Sequence, residues 1–268
     1  MISKLTRAGL TAAWVALVPA AVPALGQWPD VRTANIPRTP DGKPNLAAPA
    51  PLTADGKPDL SGVWQVSQTF KDGIPKYAGN LAADLKLEDA PQLQPWAEAL
   101  LNQRVENLSK DFPLSHCLPP GVPQIQAIPV PFKIVQLPGM VVILYEAWTT
   151  YRQIFTDGRS LPKDPNPTWI GYSVGTWKGD TLVVDTAGLN DRSWLDMMGH
   201  PHTEALHVTE RYRRSDFGRM EIQITIDDPA AYRKPWTVTE SSRLLPDTEL
   251  LEFICNENEK DLPHLVGR

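Results

Sequence analysis

Several motifs that mark common enzyme classes are missing from this sequence. Its 268 residues contain only two cysteines and no Cys-x-x-Cys pair, and there is no phosphate-binding loop, no glycine-rich dinucleotide motif and no haem-attachment motif. Chemistry that depends on a tightly bound nucleotide, flavin or haem is therefore not indicated. We expect no cofactor, and an enzyme of this kind would act through side chains alone, by proton transfer.

Runs of like charge are also missing. Once Lys4 and Arg7 near the start are set aside, 24 of the 26 basic residues stand against 31 acidic ones, a net charge of −7. Proteins that bind nucleic acid carry a basic patch, so a nucleic-acid partner is not expected. The expected partner is a small-molecule substrate or ligand, and the oligomeric state is left open.

Residues 1–26 have the pattern of a cleavable secretory signal peptide. Positive residues precede an uncharged apolar stretch, Ala8–Val22, and small residues stand just before Gln27, where we predict cleavage. The alternative, an uncleaved membrane anchor, needs roughly 20 continuous apolar residues. We therefore predict a periplasmic or secreted protein whose mature chain does not span a membrane.

The two cysteines, Cys117 and Cys255, are most simply interpreted as one disulfide bond. An exported chain folds in an oxidising compartment, and an even number of cysteines can pair completely. Closing a loop of this length stabilises a fold by roughly 5 kcal/mol in the chain-entropy account. The alternatives are a cysteine nucleophile or a metal thiolate, and neither has a recognised motif beside it.

Residues 27–60 are rich in proline, alanine and glycine, and they contain an imperfect repeat. Its two copies are Thr39–Leu46 and Thr53–Leu60. Asp-Gly favours a turn and Lys-Pro an extended continuation, so we predict an exposed, extended arm that leads into a first strand at Gly62–Ser67. Residues 61–268 are predicted to form a single domain.

The rest of the chain has one predicted helix, over about residues 95–110, followed by short β-rich runs that turns separate. Hairpin-length links with almost no helix between strands argue against βαβ units and for an antiparallel meander. The predicted runs are Phe132–Leu137, Val141–Glu146, Tyr151–Phe155, Ile170–Trp177, Thr181–Thr186, His207–Arg213, Met220–Ile226, Trp236–Ser242 and Leu250–Cys255.

The even spacing of these runs predicts an all-β, mainly antiparallel protein. A lipocalin-like or calycin-like β-barrel with one accessory helix is the leading architecture, because closing a meander removes its exposed edges. A β-sandwich is the alternative. A barrel of about eight strands has room for one small ligand, and this space connects the predicted fold with a function.

Three of the five histidines lie close together in the sequence, at His200, His202 and His207. A histidine beside a carboxylate makes a suitable acid–base pair, because imidazole titrates near neutrality and the carboxylate fixes its tautomer. We take His202 and His207 as candidate proton-transfer groups, with Asp191 or Glu210 as the carboxylate that orients them.

Strand alternation places His207 on the opposite face from Glu210 unless a bulge intervenes. The three histidines also offer three nitrogen ligands to Zn²⁺ or Cu²⁺, although their spacing matches no strong metal signature. Purely structural histidines are the third interpretation. The residues alone do not decide among the three.

A second candidate site surrounds a predicted hairpin. Glu146 ends one strand and Tyr151 and Arg152 begin the next, so hairpin geometry would bring Glu146 close to Arg152. Arg152, with Tyr151 beside it, would bind an anionic group of a substrate bidentately, or else form an ordinary ion pair with Glu146. Among the nine tryptophans, Trp194 is the best candidate for lining a pocket, because it lies in the same polar loop as Asp191.

Four segments of the chain resemble a known family. They are Pro58–Trp64, Tyr151–Arg159, Gly171–Val184 and Pro201–Arg211, and they include the motifs PDLSGVW, YRQIFTDGR and PHTEALHVTER. In these motifs the chain is similar to a widespread, largely uncharacterised family of exported bacterial β-rich proteins. The resemblance covers most of the mature chain and implies export and a β-rich fold, and it implies no particular reaction.

Three functions follow from these patterns as hypotheses. The first is a cofactor-independent periplasmic enzyme, a lyase such as a decarboxylase or dehydratase, or a hydrolase, that acts on an aromatic or glycosidic small molecule by His/carboxylate acid–base chemistry. The second is a non-catalytic periplasmic carrier of an apolar small molecule. The third is an envelope interaction module that uses the arm at residues 27–60.

Overall fold

A computed structural model describes residues 31–67, 70–71, 74–255 and 257 of the chain. The signal peptide predicted for residues 1–26 lies outside these residues. Most of the regular structure in the described part consists of β-strands, and one helix is longer than a single turn. No helix within the described part is long and apolar enough to cross a lipid bilayer.

Along the chain, one strand and a short two-stranded ribbon come first, a mainly helical segment follows, and the remaining strands come last. The strands are β1 (Gly62–Val66), β2 (Phe70–Lys71), β3 (Ile74–Pro75), β4 (Phe132–Leu137), β5 (Met140–Tyr145), β6 (Tyr151–Phe155), β7 (Tyr172–Lys178), β8 (Thr181–Ala187), β9 (His207–Arg214), β10 (Arg219–Asp227) and β11 (Trp236–Leu244). The helices are α1 (Lys76–Gly79), α2 (Pro95–Glu106) and α3 (Gln124–Ala127), with 3-10 turns at Pro113–His116 and Ala147–Thr149.

Nine of the strands close into a barrel, and β2 and β3 form a separate ribbon. Around the barrel the neighbours are β1, β11, β10, β9, β8, β7, β6, β5 and β4, and β4 pairs back to β1. All neighbours are antiparallel except β6 and β7, which run parallel. An odd number of strands cannot close by antiparallel pairing alone, because the alternation of direction fails once around the ring. The predicted all-β, mainly antiparallel barrel with one accessory helix is thus confirmed, and the β-sandwich alternative does not form.

The predicted elements differ from the structure at two places. Helix α2 ends at Glu106, because Leu108 and Ser109 take left-handed backbone conformations with φ of 58° and 55°. The predicted run Leu250–Cys255 is not a strand. Since β1 pairs with both β11 and β4, the barrel has no free edge at which a further strand could add. The other predicted strands agree with the observed ones to within two residues at each end.

Alternation along the strands gives the barrel an apolar interior. In β10, every second residue from Met220 to Ile226 is a fully buried hydrophobic residue, whereas Glu221 and Gln223 between them are exposed on the outer surface. Burying one side chain of this size contributes roughly 1.5–3 kcal/mol. The interior wall that β10 forms is therefore strongly held, and the few polar residues on inward positions stand out against it.

The two ends of the barrel differ in their connections. Short hairpin links join β4 to β5, β7 to β8 and β9 to β10 at one end, which we call the arm end. The longer segments before β4, after β8 and after β10 gather at the other, which we call the loop end. They hold one another there, because Asp196 accepts the Leu81 N–H at 2.9 Å and Leu93 forms a backbone bridge with Tyr232.

Residues 31–60 pack against the arm end and contain two equivalent turns. In each copy of the repeat, Thr39 or Thr53 donates its backbone N–H to the carbonyl of the lysine four residues on, at 2.9 and 2.8 Å. Each threonine hydroxyl donates to the aspartate two residues on. Arg38 pairs with Asp247, just beyond β11, through two hydrogen bonds of 2.6 and 2.8 Å. The repeat is therefore a pair of turns attached to the barrel.

Cys117 and Cys255 form a disulfide bond, with their Cα atoms 5.7 Å apart, which confirms the predicted pairing. The bond connects the segment that follows β11 with the loop-end segment that precedes β4. Residues separated by 138 positions in the sequence are thereby joined. The disulfide constrains the unfolded chain over a long loop, which is the condition for a large stabilising effect.

Candidate functional site

A group of charged and polar side chains lies inside the barrel, on inward positions of neighbouring strands. Arg152 of β6 and Glu210 of β9 form its centre, and neither side chain has any exposed surface. Arg152 donates to both carboxylate oxygens of Glu210, with Nη1 3.0 Å from Oε1. It also donates to Ser173 at 3.0 Å and to Thr186 at 2.7 Å. Side chains from three other strands therefore fix the guanidinium in one orientation.

Two tyrosines and a glutamine extend this group. Tyr212 donates to Glu210 at 2.8 Å, and Tyr145 donates to Oε1 of Gln126 at 3.2 Å. The Tyr212 hydroxyl lies 3.4 Å from the same Gln126 oxygen. Gln126 belongs to α3, a single turn whose four residues are all buried. The interior cluster, as we call it, comprises Arg152, Glu210, Tyr212, Tyr145, Gln126, Ser173 and Thr186.

The interior cluster carries no net charge. Burial opposes the charge of Arg152, but the adjacent Glu210 carboxylate outweighs burial and raises the pKa of Arg152 above its usual value. Burial also raises the pKa of Tyr145 and of Tyr212, and the charge of Glu210 raises both further. Both phenols therefore remain protonated at neutral pH. One positive and one negative charge are left, and they cancel.

Buried polar atoms without a hydrogen-bond partner lie on α3 and β11. Within the described residues they include both amide atoms of Gln124, Nε2 of Gln126, Nε1 of Trp236, both carboxyl oxygens of Glu240 and Oγ of Ser242. Each buried polar group left unpaired costs about 1–3 kcal/mol, and whole domains are stable by only about 5–15 kcal/mol. Such a concentration of unpaired groups distinguishes α3 and β11 from the rest of the described interior.

These unpartnered atoms share the barrel interior with the interior cluster. Tyr212 and Glu240 lie on either side of the same β10 residue, Ile222, in the strand register. Two strand spacings, roughly 10 Å, therefore separate their backbones. Gln126 connects the two groups, because its Oε1 accepts from Tyr145 while its Nε2 has no partner in the described part of the chain.

Glu240 has an unusual environment for a carboxyl group. It is fully buried, and burial, together with the negative charge of Glu210, raises the pKa of Glu240 to about 8. Glu240 is therefore mostly protonated at neutral pH and able to donate a proton. A carboxyl group kept neutral by apolar surroundings is a known form of general acid, and shifts of this size concentrate at functional sites.

A histidine–aspartate pair lies at the loop end. Nδ1 of His200 is 2.7 Å from Oδ2 of Asp196, and both side chains are buried. Because the carboxylate accepts this hydrogen bond, Nδ1 carries the proton and Nε2 is the basic nitrogen. The ring centroid of His200 lies 6.2 Å from that of Trp236, at the start of β11. The pair therefore borders the loop end of the same interior.

His202 makes a different buried pair, with a serine. Its Nδ1 donates to the Thr203 carbonyl at 3.2 Å, and its Nε2 accepts from the Ser193 hydroxyl at 2.8 Å. Burial lowers the pKa of His202, so the ring is neutral. A Cβ on Gly121 would lie 2.2 Å from Ser193 Oγ, so the backbone of Gly121 covers that hydroxyl and leaves no space for a substrate. His202 holds the β8–β9 segment in its conformation.

His207 lies on the outer surface of the barrel. Its side chain is 39 % exposed, and its Nε2 is 3.8 Å from Asp185. The predicted alternation of β9 turns His207 outward and Glu210 inward, so the predicted set of His202, His207 and Glu210 does not assemble. Within the described residues, no group of three or more histidine, cysteine or acidic side chains is placed to hold a metal ion. The three histidines therefore do not form the alternative Zn²⁺ or Cu²⁺ ligand set.

The predicted hairpin site is also arranged differently. Glu146 accepts the Leu251 N–H at 2.8 Å and does not pair with Arg152. Tyr151 is 62 % exposed, because it occupies the outward position next to Arg152 on β6. Arg152 alone of these residues points into the barrel, where its partner is Glu210 rather than a free anionic ligand.

The polar loop after β8 borders a surface cleft rather than the barrel interior. Trp194 is buried beneath the guanidinium group of Arg104, which lies 4.3 Å from the ring centroid. Asp191 is exposed and lines a cleft of about 470 Å³ together with both of these residues. The cleft lies between α2 and the loop-end segments, so Asp191 and Trp194 belong to the outside of the barrel.

Ser173 stands at the centre of a Gly-x-Ser-x-Gly pattern, residues 171–175, which marks a strand-to-helix turn in many hydrolases. Here the serine lies within β7, is 1 % exposed and shares hydrogen bonds with Arg152 and Thr186. A serine in mid-strand lacks the sharp turn that exposes a nucleophile. Ser173 therefore orients Arg152.

Sequence reasoning missed Glu240 and the two glutamines of α3. A signal for Glu240 was present, because Trp236, Glu240 and Ser242 fall on one face of a period-2 strand whose other inward residues, Val238 and Leu244, are apolar. For Gln124 and Gln126 no such signal exists, because a single turn of helix carries no periodicity. Their burial depends on how the segment before β4 folds over the barrel.

No protein-family model and no curated protein matches the chain. Its function is therefore inferred from the geometry and chemistry of the barrel interior, since a fold by itself does not identify a reaction.

Proposed function

We propose that this chain is a cofactor-independent enzyme, a lyase or a hydrolase, that acts on an aromatic or glycosidic small molecule inside the barrel by acid–base chemistry. The observation that carries the proposal is Glu240, a fully buried carboxyl group whose two oxygens have no partner in the described part of the chain. A carboxyl group in this position is costly for the fold unless a ligand meets it.

Glu240 is the general acid of this proposal. Its pKa of about 8 keeps the proton on the carboxyl group at neutral pH while leaving it available for transfer. Elimination, decarboxylation and glycoside hydrolysis all need a proton delivered to a leaving group or a carbanion. The fixed ion pair of Arg152 and Glu210 supplies an oriented charge distribution beside the reacting molecule, which stabilises charge that develops during the reaction.

His200 is the candidate base. Asp196 holds the ring through Nδ1, as the carboxylate of an acid–base pair does, and leaves Nε2 to accept a proton. The imidazole borders the interior beside Trp236. The sequence-based pairing of a histidine with a carboxylate is thus retained in this proposal, with His200 and Asp196 in place of His202, His207 and Asp191.

Export to the periplasm or the cell exterior belongs to the same proposal. The disulfide between Cys117 and Cys255 supports it, because such bonds persist in oxidising compartments. The pattern predicted for residues 1–26 gives independent support from the sequence.

A non-catalytic carrier is the second candidate. The observation in its favour is that the polar atoms of the interior are buried on all sides, which suits retention of a ligand as well as turnover. A carrier needs no proton donor, however, and Glu240 would then serve only as a hydrogen-bonding group.

The test is to incubate the protein with a mixed pool of phenolic dimers and glycosides and to follow the pool by mass spectrometry. Three proteins are compared: the wild type, Glu240→Gln and a matched control, Glu221→Gln, on the outward face of β10. We expect product from the wild type and the control, and a rate lower by roughly 10²-fold or more for Glu240→Gln. Full activity of Glu240→Gln contradicts the proposed acid, and depletion of the pool without any change in mass identifies a carrier.

Two histidine variants distinguish the pair found in the structure, His200 with Asp196, from the predicted catalytic histidine His207. His200→Ala is expected to lower the rate by roughly 10²-fold, whereas His207→Ala, which changes an outward side chain, is expected to leave it unchanged. The reverse result would place catalysis on the outer surface of β9 and contradict the interior site.

A further inference from the structure

We infer that the barrel interior takes an uncharged molecule with several hydroxyl groups, such as the sugar ring of a glycoside, bound by Gln124, Glu240 and Ser242. The inference rests on the proposed function, because it names the substrate class of the same site. Three independent features of the interior lead to it: the balance of charge, the mixture of donors and acceptors, and the arrangement of the unpartnered atoms.

The charge of the interior excludes an anionic ligand. Arg152 is the cation of the interior cluster, and Glu210 neutralises it through both carboxylate oxygens. Its remaining hydrogen bonds go to Ser173 and Thr186. The other buried arginine, Arg214, donates to main-chain carbonyls and has the charges of Asp59 and Asp216 near it. A buried carboxylate or phosphate beside α3 and β11 would therefore have no unpaired cation to meet it, and an unpaired buried charge is strongly unfavourable.

The unpartnered atoms include donors and acceptors together. Nε2 of Gln124, Nε2 of Gln126 and Nε1 of Trp236 only donate, and Oε1 of Gln124 only accepts. The hydroxyl of Ser242 does both, as does the carboxyl group of Glu240 while it is protonated. An ammonium group only donates and would leave the three N–H groups unpaired. A hydroxyl group donates and accepts, so hydroxyls on one molecule match the mixed donors and acceptors of Gln124, Glu240 and Ser242.

The side chains named as the binding groups belong to two elements that face the same barrel interior. Glu240 and Ser242 are inward neighbours on β11, and α3 carries Gln124 and Gln126 across the interior from the loop end. Trp236 adds an aromatic surface at the same inward face, as sites for sugar rings commonly have.

The experiment measures the binding of matched sugars to the full exported chain by titration calorimetry at pH 6, where Glu240 is protonated. The probes are the methyl glycosides of glucose, galactose and mannose, the corresponding uronic acids and the corresponding 2-amino sugars. At least one neutral glycoside is expected to bind, and its charged counterparts are expected to bind at least about tenfold more weakly, because each buries an unpaired charge. Tighter binding of a charged sugar overturns the inference, and so does the absence of binding by every neutral sugar, in which case the interior holds ordered water only.

Two variants test whether the named atoms make the contacts. Gln124→Leu removes both unpartnered amide atoms and Ser242→Ala removes the hydroxyl, while Gln223→Leu on the outward face of β10 is the matched control. Each interior variant is expected to weaken binding of the neutral sugar about tenfold, the equivalent of 1.4 kcal/mol. The melting temperature without ligand should not fall for Gln124→Leu, because an unpaired buried amide is replaced by an apolar group of similar size. Unchanged affinity in both interior variants overturns the inference.

These outcomes are distinct from those that test the enzyme. Binding of a neutral sugar without formation of product supports the inference and contradicts catalysis. Conversion of phenolic compounds by a protein that binds no neutral sugar supports catalysis and contradicts the inference.

Discussion

Two arginines are buried on inward positions of the barrel, and their surroundings differ. Arg214, near the arm end, donates to main-chain carbonyls of the β9–β10 hairpin and of the segment before β1, among them Phe217 and Asp59. Burial lowers the pKa of Arg214 to about 10, and the charges of Asp59 and Asp216 oppose this shift, so Arg214 remains charged at neutral pH. Arg152 donates only to side chains and has the carboxylate of Glu210 as its partner.

The different hydrogen-bond partners of the two arginines distinguish a structural residue, Arg214, from a residue of the candidate site, Arg152. Arg214 donates to carbonyls of the chain itself and connects the arm to the barrel. Among the described residues, the buried side-chain atoms without partners lie on α3 and β11, except for Oδ1 of Asn107 at the C-terminal end of α2. A structural arginine is therefore satisfied by the backbone, whereas the interior cluster adjoins groups that a ligand must satisfy.

The largest loss of folding stability is expected when the charge of Arg152 is removed. The variant Arg152→Met leaves Glu210 buried without its partner, and breaking a buried pair in this way costs about 3–5 kcal/mol. Urea unfolding at neutral pH measures the loss. The double variant Arg152→Met with Glu210→Leu is expected to recover most of it, because no unpaired charge remains.

Arg214→Met is the matched change at the arm end. Its acceptors are main-chain carbonyls, which no substitution removes, so combining it with Glu210→Leu should give additive losses. A double-mutant cycle thus yields a large coupling between Arg152 and Glu210 and a coupling near zero between Arg214 and Glu210. Equal coupling energies would contradict the distinction between the two arginines.

Strand alternation separates the two faces of β9, but it does not identify the partners across the barrel. The residue pattern predicts that His207 and Glu210 lie on opposite faces, and the structure has Glu210 inward and His207 outward. The sequence offers Arg152 either an anionic group of a substrate or the nearby Glu146 as its partner, whereas Glu210 lies 58 residues away and meets Arg152 only because the barrel closes. Distances across a closed sheet depend on strand order, which local patterns do not contain.

The remaining differences also follow from closure and from the loop-end segments. The pairing of β1 with both β4 and β11 leaves no edge for Leu250–Cys255, although that run has strand-like residues. His200 meets Asp196 because the β8–β9 segment turns back on itself at Gly199, where φ is 97°. Neither feature has a periodic signal, so the strands were predictable and the contact between His200 and Asp196 was not.

The next largest change in folding stability is expected when the pH is raised, and it tests whether Glu240 is buried in its uncharged form. Because the folded-state pKa of about 8 is above the ordinary value of 4.5, the folded protein holds the proton more tightly than the unfolded chain does. The stability from this group is complete below about pH 4.5 and is lost as the pH rises to 8, at up to about 1.4 kcal/mol per pH unit. Between about pH 5.5 and 7.5 the loss is about 3 kcal/mol at most. Urea unfolding midpoints across this range should fall for the wild type.

Glu240→Gln cannot ionise and is expected to lack this fall, so that it becomes more stable than the wild type near pH 8. Glu221→Gln, on the outward face of β10, should keep the fall of the wild type. Parallel curves for the wild type and Glu240→Gln would show that Glu240 is not held in a buried, uncharged state, and would remove the proposed acid from the site.

The smallest loss of stability is expected from Arg38→Ala, and it should be confined to the arm, residues 31–60. Arg38 holds the first turn of the repeat to Asp247 at the surface, and its hydrogen bonds lower the pKa of that carboxyl group. The stabilising effect is therefore present above the ordinary pKa of aspartate and is lost as the pH falls through the lowered value. Hydrogen exchange should become faster in residues 31–60 of the variant at neutral pH, with the same exchange as wild type in very acidic solution. The barrel strands should be unaffected, because Arg214 still holds the segment before β1, so faster exchange in β9 or β10 would mean that the arm stabilises the interior as well.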